Sequence, residues 1–102
     1  MGLETELALD PVYLGDFCRR NGIARLSVFG SRLRKDGRPD SDLDLLVEFV
    51  PGRRVSLFDV GGMIFELSQT LGVEVDLRTR EDLSPLFREQ VLREARTLYA
   101  AA

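Results

Sequence analysis

An alternation of acidic and apolar residues constrains the fold of this chain more than any other feature. Asp42-Leu43-Asp44 runs directly into Leu45-Leu46-Val47-Glu48-Phe49-Val50, a pattern that predicts a β-strand from about Leu43 to Val50. Residues two apart on a strand point to the same side, so Asp42 and Asp44 would present two carboxylates on one face, with α-carbons roughly 7 Å apart. Leu43, Leu45, Val47 and Phe49 would face a core. Carboxylates that close raise each other's pKa unless a cation lies between them, so the pair predicts a metal site.

The residue types available restrict the kind of metal. The chain has no histidine and a single cysteine, Cys18, which we expect to be a small buried core residue. This composition excludes the common zinc sites, thiolate clusters, an intramolecular disulfide and every catalytic arrangement that needs histidine. The metal must therefore be held by oxygen, which favours Mg²⁺ or Mn²⁺.

Length and charge exclude several classes of protein. A chain of 102 residues with 44% hydrophobic and 30% charged residues predicts one domain, residues 1–102, without an internal boundary. No apolar run is long enough to span a bilayer, and Glu4 and Glu6 lie where a secretory signal would carry basic residues, so we expect a cytoplasmic protein without a membrane partner. A net charge of -3 argues against direct binding to nucleic acid.

Capping and spacing signals predict the element order α-β-α-β-α-β-α. The predicted elements are a helix from Asp10-Pro11 to Asn21-Gly22, a strand over Ile23–Phe29, a brief helix over Ser31–Lys35, the strand described above, a helix from Ser56 to Gly72, a strand over Val73–Leu77 and a final helix from Ser84-Pro85 through Leu98. The pair Gly61-Gly62 interrupts the longest helix at a cost of about 1 kcal/mol per glycine relative to alanine.

A glycine turn precedes the acidic strand. Gly30-Ser31 marks a strand-to-helix turn, where free backbone N–H groups and a hydroxyl would attract a phosphate. Arg32 and Arg34 follow this turn. The sequence is equally consistent with two roles for them, contacts to the phosphate or ordinary surface charges. If the Val73–Leu77 strand neighbours the acidic strand, Asp76 joins Asp42 and Asp44 as a third carboxylate and is the candidate base. These residues together predict a site for a metal-bound phosphate.

The combination resembles a known signature. Gly30-Ser31, ten intervening residues, Asp42-Leu43-Asp44 and a later Asp76 are similar to the G-S-x(10)-D-x-D pattern of the DNA polymerase beta-like nucleotidyltransferase superfamily. The fuller run from Phe29-Gly30-Ser31-Arg32 to Arg38-Pro39-Asp40-Ser41-Asp42-Leu43-Asp44 resembles the minimal nucleotidyltransferases (MNT), the antitoxins found beside HEPN-domain toxins. Family members often carry small residues where this chain has Leu33 and Lys35.

This resemblance implies an α/β (α+β) fold, a small mixed β-sheet flanked by helices, that binds ATP with Mg²⁺, as two ions, or with Mn²⁺. By it, Asp42, Asp44 and Asp76 are the metal ligands and catalytic residues, Gly30 and Ser31 hold the triphosphate, and we add Arg32 and Ser41 to the nucleotide-binding residues. The family moves AMP from ATP onto a tyrosine of the HEPN toxin, within an R-x4-H-x-Y motif. This chain has no histidine and cannot contain that motif, which fits the antitoxin half of the pair.

Three functions therefore compete. The first is an adenylyltransferase that modifies a partner protein, because a chain this short leaves no second domain to recognise an acceptor. The second is a nucleotidyltransferase acting on a small molecule, which usually needs additional helices or a dimer to form the acceptor pocket. The third is a non-catalytic module that neutralises its partner by binding alone, against which an intact set of three carboxylates counts.

Overall fold

A computed structural model describes residues 10–29 and 43–101 of the chain. The predicted brief helix over Ser31–Lys35 and the predicted site residues Gly30, Ser31, Arg32, Ser41 and Asp42 lie outside the described residues. In chain order, the described elements are α1 (Pro11–Arg20), β1 (Ile23–Phe29), β2 (Leu43–Phe49), α2 (Leu57–Leu71), β3 (Val75–Arg78), a 3₁₀ helix (Arg80–Asp82), α3 (Pro85–Glu94) and β4 (Arg96–Ala100).

The helix boundaries follow the capping signals in the sequence. An Asp10 carboxylate oxygen accepts the Val12 N–H at 3.0 Å, with Pro11 at the first position of α1. Ser56 and Asp59 form a reciprocal capping box at the start of α2, and these hydrogen bonds lower the pKa of Asp59. Gly72, at φ 72°, ends the helix in the left-handed conformation that glycine adopts most easily.

The four strands form one mixed sheet in the order β3-β2-β1-β4. Strand β1 pairs antiparallel with both β2 and β4, whereas β2 and β3 are parallel. The long segment between β2 and β3 contains α2, as a parallel crossover requires. The predicted small mixed sheet flanked by helices is confirmed.

The main core lies between one face of this sheet and the helices α1 and α2. Helix α1 packs against β1 and β4, and α2 packs against β3. The buried cluster combines helix residues with alternate residues of the strands: Leu14, Phe17, Cys18, Met63 and Leu67 with Ile23, Leu26, Val28, Leu43, Leu45, Val47, Val75 and Leu77. The other face of the sheet is therefore left for the intervening residues of β2 and β3.

Partly exposed polar contacts connect the two core helices to each other. The Tyr13 hydroxyl donates to Glu66 at 2.7 Å, and Arg20 donates to the same carboxylate oxygen at 2.9 Å. Arg20 also donates to Asp16 at 2.8 Å and lies over the Phe17 ring. The pKa of Glu66 is lowered mainly by the hydrogen bond from Arg20 and then by that from Tyr13.

The prediction for the end of the chain is wrong. Helix α3 ends at Glu94, Ala95 is extended at ψ 140°, and β4 occupies Arg96–Ala100, where the sequence predicted a helix through Leu98. The predicted element order therefore lacks the last strand. The segment contains Thr97, Leu98 and Tyr99 and pairs with β1, which would otherwise be an unpaired edge.

The apolar residues of helix α3 do not enter the buried core. Leu86 and Phe87, at the start of α3, are 86% and 59% exposed, and no residue of α3 is buried. Strand β3 also begins later than predicted, at Val75 rather than Val73.

Among the described residues, no helix has the length and apolar character needed to cross a membrane.

Candidate active site

The structure brings two of the predicted carboxylates together across the parallel strand pair. Asp44 of β2 and Asp76 of β3 are paired in register, and both are partly exposed. Residues paired in register on adjacent strands share a sheet face, with about 4.8 Å between the strands. Their sequence neighbours Leu43, Leu45, Val75 and Leu77 are buried in the core on the other face. The prediction that Asp76 lies beside the acidic strand is thus supported by the strand register.

Local contacts at the end of α2 set this register. The Val75 N–H donates to the Ser68 hydroxyl oxygen at 3.2 Å, which attaches the first residue of β3 to the last turns of the helix. The Leu43 N–H donates to the Glu74 carbonyl oxygen at 2.8 Å and begins the ladder between β2 and β3. Because Gly72 ends the helix immediately before this point, β3 enters the sheet at the level that places Asp76 opposite Asp44.

Strand β1 also ends at this level. Phe29, its last residue, pairs with Asp44, and β2 begins at Leu43, one residue before this carboxylate. The predicted phosphate-binding and metal-binding residues Gly30, Ser31, Arg32, Ser41 and Asp42 all belong to the segment between these two points.

The sequence reasoning missed one charged residue of the site. Arg78 lies two residues after Asp76 on β3, and its Nε atom donates to Asp76 Oδ2 at 2.9 Å. This hydrogen bond is the main cause of the raised pKa of Arg78, followed by the charge of Asp76, and the charges of Asp44 and Asp82 add to it. The signal in the sequence was the spacing, because a residue two positions after a strand carboxylate lies on the same face.

Asp82 approaches the same arginine from the 3₁₀ helix but is already engaged. One of its carboxylate oxygens accepts the Thr79 N–H at 3.0 Å, and hydrogen bonds with the backbone and side chain of Thr79 lower its pKa. Asp82 therefore supplies charge near Arg78, whereas Asp76 supplies the direct contact.

The donor atoms fit a hard divalent cation. Asp44 and Asp76 offer carboxylate oxygens at the same level of neighbouring strands, which is the chemistry that Mg²⁺ and Mn²⁺ require. Cys18 is not available as a ligand, because it is buried in the core and burial raises its pKa to about 12. Within residues 10–29 and 43–101, no group of three potential ligands occurs, and the third predicted carboxylate, Asp42, lies outside these ranges.

An open depression of about 600 Å³ lies elsewhere, at the end of α2 and the start of β3. Its lining includes Ile64, Ser68, Gly72 and Glu74, but neither Asp44 nor Asp76. The paired carboxylates, rather than this depression, therefore mark the candidate active site in the described part of the chain.

A mixed sheet with helices on one face and paired carboxylates on the other is the arrangement expected of a nucleotidyltransferase. The sequence pattern of the family described as "Nucleotidyltransferase domain" matches residues 12–98. The chain belongs to this family, and the resemblance inferred from its motifs is confirmed.

Curated relatives make the relationship more specific. The chain is 41% identical over 76 residues, which are 74% of this chain and 80% of the relative, to a protein of Methanocaldococcus jannaschii provisionally named a protein adenylyltransferase. It is 36% identical over 77 residues, 74% of each chain, to the protein adenylyltransferase MntA of Thermococcus cleftensis.

Solved structures agree with the fold. A structure provisionally assigned as a minimal nucleotidyltransferase has a TM-score of 0.71 and 47% identity, and the match covers 93% of this chain and 94% of the other. A toxin-antitoxin structure with AMP-PNP has a TM-score of 0.71 at 20% identity, over 91% of this chain and 75% of the other. The structure of the tri-AMPylated Shewanella oneidensis HEPN toxin in complex with an MNT antitoxin has a TM-score of 0.66 at 18% identity, over 93% of this chain and 73% of the other. The last two show likeness of fold alone.

Proposed function

We propose that this chain is an antitoxin-type nucleotidyltransferase that transfers AMP from ATP to a tyrosine hydroxyl of a HEPN-domain ribonuclease toxin and thereby neutralises it. The observation that carries the proposal is the in-register pairing of Asp44 with Asp76 on one sheet face in a chain of the nucleotidyltransferase family. The two carboxylates come from different strands, so the fold itself has to bring them together.

The proposed roles divide the reaction among a few residues. Asp42 and Asp44 would hold the cation that binds the triphosphate, and Asp76 would join them on the side of the attacking hydroxyl. Gly30 and Ser31, with Arg32 and Ser41, would hold the triphosphate. Bound Mg²⁺, as two ions, or Mn²⁺ in its place, would withdraw charge from the phosphoryl oxygens and position the entering and leaving oxygens.

The proposed transfer balances without another reactant. The tyrosine oxygen forms a bond to the α-phosphorus of ATP while the bond between that phosphorus and the bridging oxygen of the β-phosphate breaks. Pyrophosphate leaves, and the tyrosine proton passes to the carboxylate of Asp76. Because the chain contains no histidine, a carboxylate is the proton acceptor that the proposed site itself offers.

The similar proteins support the choice of acceptor and nucleotide. Relatives at 41% and 36% identity are named protein adenylyltransferases, and structures of the same fold are complexes of an MNT antitoxin with an AMPylated HEPN toxin and of a toxin-antitoxin with AMP-PNP. Action on a small molecule and neutralisation by binding alone remain the two competing proposals.

The test uses the full chain with a HEPN-domain protein as the proposed partner. The two proteins are incubated with Mg²⁺ and ATP labelled at the α-phosphate, and the partner is weighed by intact mass spectrometry. We expect mass increments of AMP on the partner, and their loss with Asp44→Asn or Asp76→Asn. Asn keeps the shape of Asp but removes the charge that binds a cation and accepts a proton.

Glu48→Gln is the matched control. Glu48 lies on the same strand as Asp44, four residues further on, and pairs with Arg25 at 3.8 Å, so the substitution makes the same chemical change about 13 Å away. Its AMP transfer should equal that of the unchanged protein. Tight complex formation without a mass increment, with neutralisation intact in both Asn variants, would establish binding alone. Label found on free small molecules instead of the partner would establish the second alternative.

A further inference from the structure

The ion pair between Arg78 and Asp76 is a feature of the site that the proposed reaction does not use. Arg78 contacts one carboxylate oxygen, Oδ2, through its Nε atom at 2.9 Å. The side chains of Arg78 and Asp76 are 49% and 40% exposed. An ion pair this exposed adds little to the stability of a fold, so its main consequence is local: it holds the carboxylate of Asp76 and places a positive charge beside it.

The positive charge of Arg78 also reaches the other carboxylate. Arg78 pairs with Leu46, two residues beyond Asp44, just as it lies two residues beyond Asp76. Asp44, Asp76 and Arg78 therefore share one sheet face, and the charge of Asp44 contributes to the raised pKa of Arg78. The guanidinium therefore lies close to the carboxylates that would hold the proposed cation.

We propose that Arg78 is a positioning residue that holds the Asp76 carboxylate in the absence of a cation and weakens divalent-cation binding to the nucleotide-free site. The cation would then arrive with the triphosphate, whose negative charge offsets that of the arginine, rather than bind alone. The inference rests on the proposed function in one respect, because the carboxylates that hold the cation are the ones assigned there.

Coulomb's law sets the size of the effect. An oxygen–cation distance of about 2.1 Å, the width of a carboxylate and the contact of 2.9 Å form a bent path, which places the cation about 6 Å from the arginine. In a water-like dielectric, a double and a single positive charge at about 6 Å change a binding constant by about tenfold. Screening at 0.15 M salt reduces this to about threefold.

The experiment titrates the nucleotide-free full chain with Mn²⁺ alone and follows free Mn²⁺ by electron paramagnetic resonance. Arg78→Gln should tighten Mn²⁺ binding about tenfold at low salt and about threefold at 0.15 M. Arg78→Lys keeps the charge and should stay within about twofold of the unchanged protein, since the effect depends on charge. A contact of purely structural importance would change thermal unfolding and leave this affinity unmoved.

Arg25→Gln is the matched control, because Arg25 forms an ion pair with Glu48 on the neighbouring strand, about 13 Å along the sheet from Asp44. Arg25→Gln also removes one positive charge, but at more than one Debye length from the proposed cation. It should therefore change the Mn²⁺ affinity less than about 1.5-fold at 0.15 M salt. The inference is overturned if Arg78→Gln leaves Mn²⁺ binding unchanged or weaker, or if Arg78→Lys binds as tightly as Arg78→Gln. None of these readings depends on ATP or a partner, so failure here is distinct from failure of AMP transfer.

Discussion

The same substitution should have opposite effects at two glycines of helix α2. Gly72 ends the helix at φ 72°, and within the described residues no atom beyond its chain neighbours lies within 4 Å of the place where a Cβ would be. Gly72→Ala therefore tests backbone conformation without a steric clash, and the left-handed conformation should cost about 1–2 kcal/mol of unfolding free energy. Gly62 lies inside the helix, and its Cβ position is equally open. Gly62→Ala should add about 0.8–1 kcal/mol, because alanine has the higher helix propensity.

The two residues are ten positions apart, about 15 Å along a helix, so the double variant should show the sum of the two effects to within about 0.5 kcal/mol. Urea unfolding measures each difference in unfolding free energy, and an unchanged m-value checks that the substitution altered stability alone. In thermal unfolding, the midpoint temperatures of the two single variants should differ by about 8 °C or more. A neutral Gly72→Ala would contradict the left-handed cap. A destabilising Gly62→Ala would show that helix α2 does not continue through Gly61-Gly62 as described.

Three further substitutions test the contacts of the helices. Leu67→Ala removes a side chain of zero exposure and should cost about 2–5 kcal/mol in urea unfolding, whereas Leu86→Ala, at a position 86% exposed, should change stability by less than about 0.5 kcal/mol; similar losses from both would contradict the described core. Glu66→Gln removes the carboxylate shared by Tyr13 and Arg20. Since the folded pKa of Glu66 is below its ordinary value of 4.5, its stabilisation is complete above about pH 4.5 and is lost as the pH falls through the lowered pKa. The difference in stability between the two proteins, at most about 1 kcal/mol at pH 7 for an exposed pair, should therefore close in acid, and a difference that widens below pH 4 would refute the assignment.

Local signals in the sequence were sufficient where neighbouring residues alone decide the structure. Asp10-Pro11, the Ser56 and Asp59 capping box and Gly72 determined the ends of two helices, because a cap satisfies backbone groups within the same few residues. The alternation from Leu43 determined which side of β2 enters the core. The family was also recognisable, because its signature consists of residue types at short spacings.

Contacts between distant segments decided the rest. The helical spacing of apolar residues in α3 continues through Ala95 to Leu98, yet Arg96–Ala100 forms a strand because β1 offers an edge whose backbone groups need partners. No local pattern contains that information, since β1 lies about seventy residues earlier in the chain.

The candidate site shows the same division. The sequence by itself determined that Asp44 and Asp76 each lie on a strand face opposite the core, because alternation is a property of one strand. Only the tertiary structure decided that β2 and β3 are neighbours, parallel and in register, so that these carboxylates meet and Arg78 joins them. Register depends on hydrogen bonds and packing between segments that are separate in sequence, such as the hydrogen bond from the Leu43 N–H to the Glu74 carbonyl oxygen, and these form only when the chain folds.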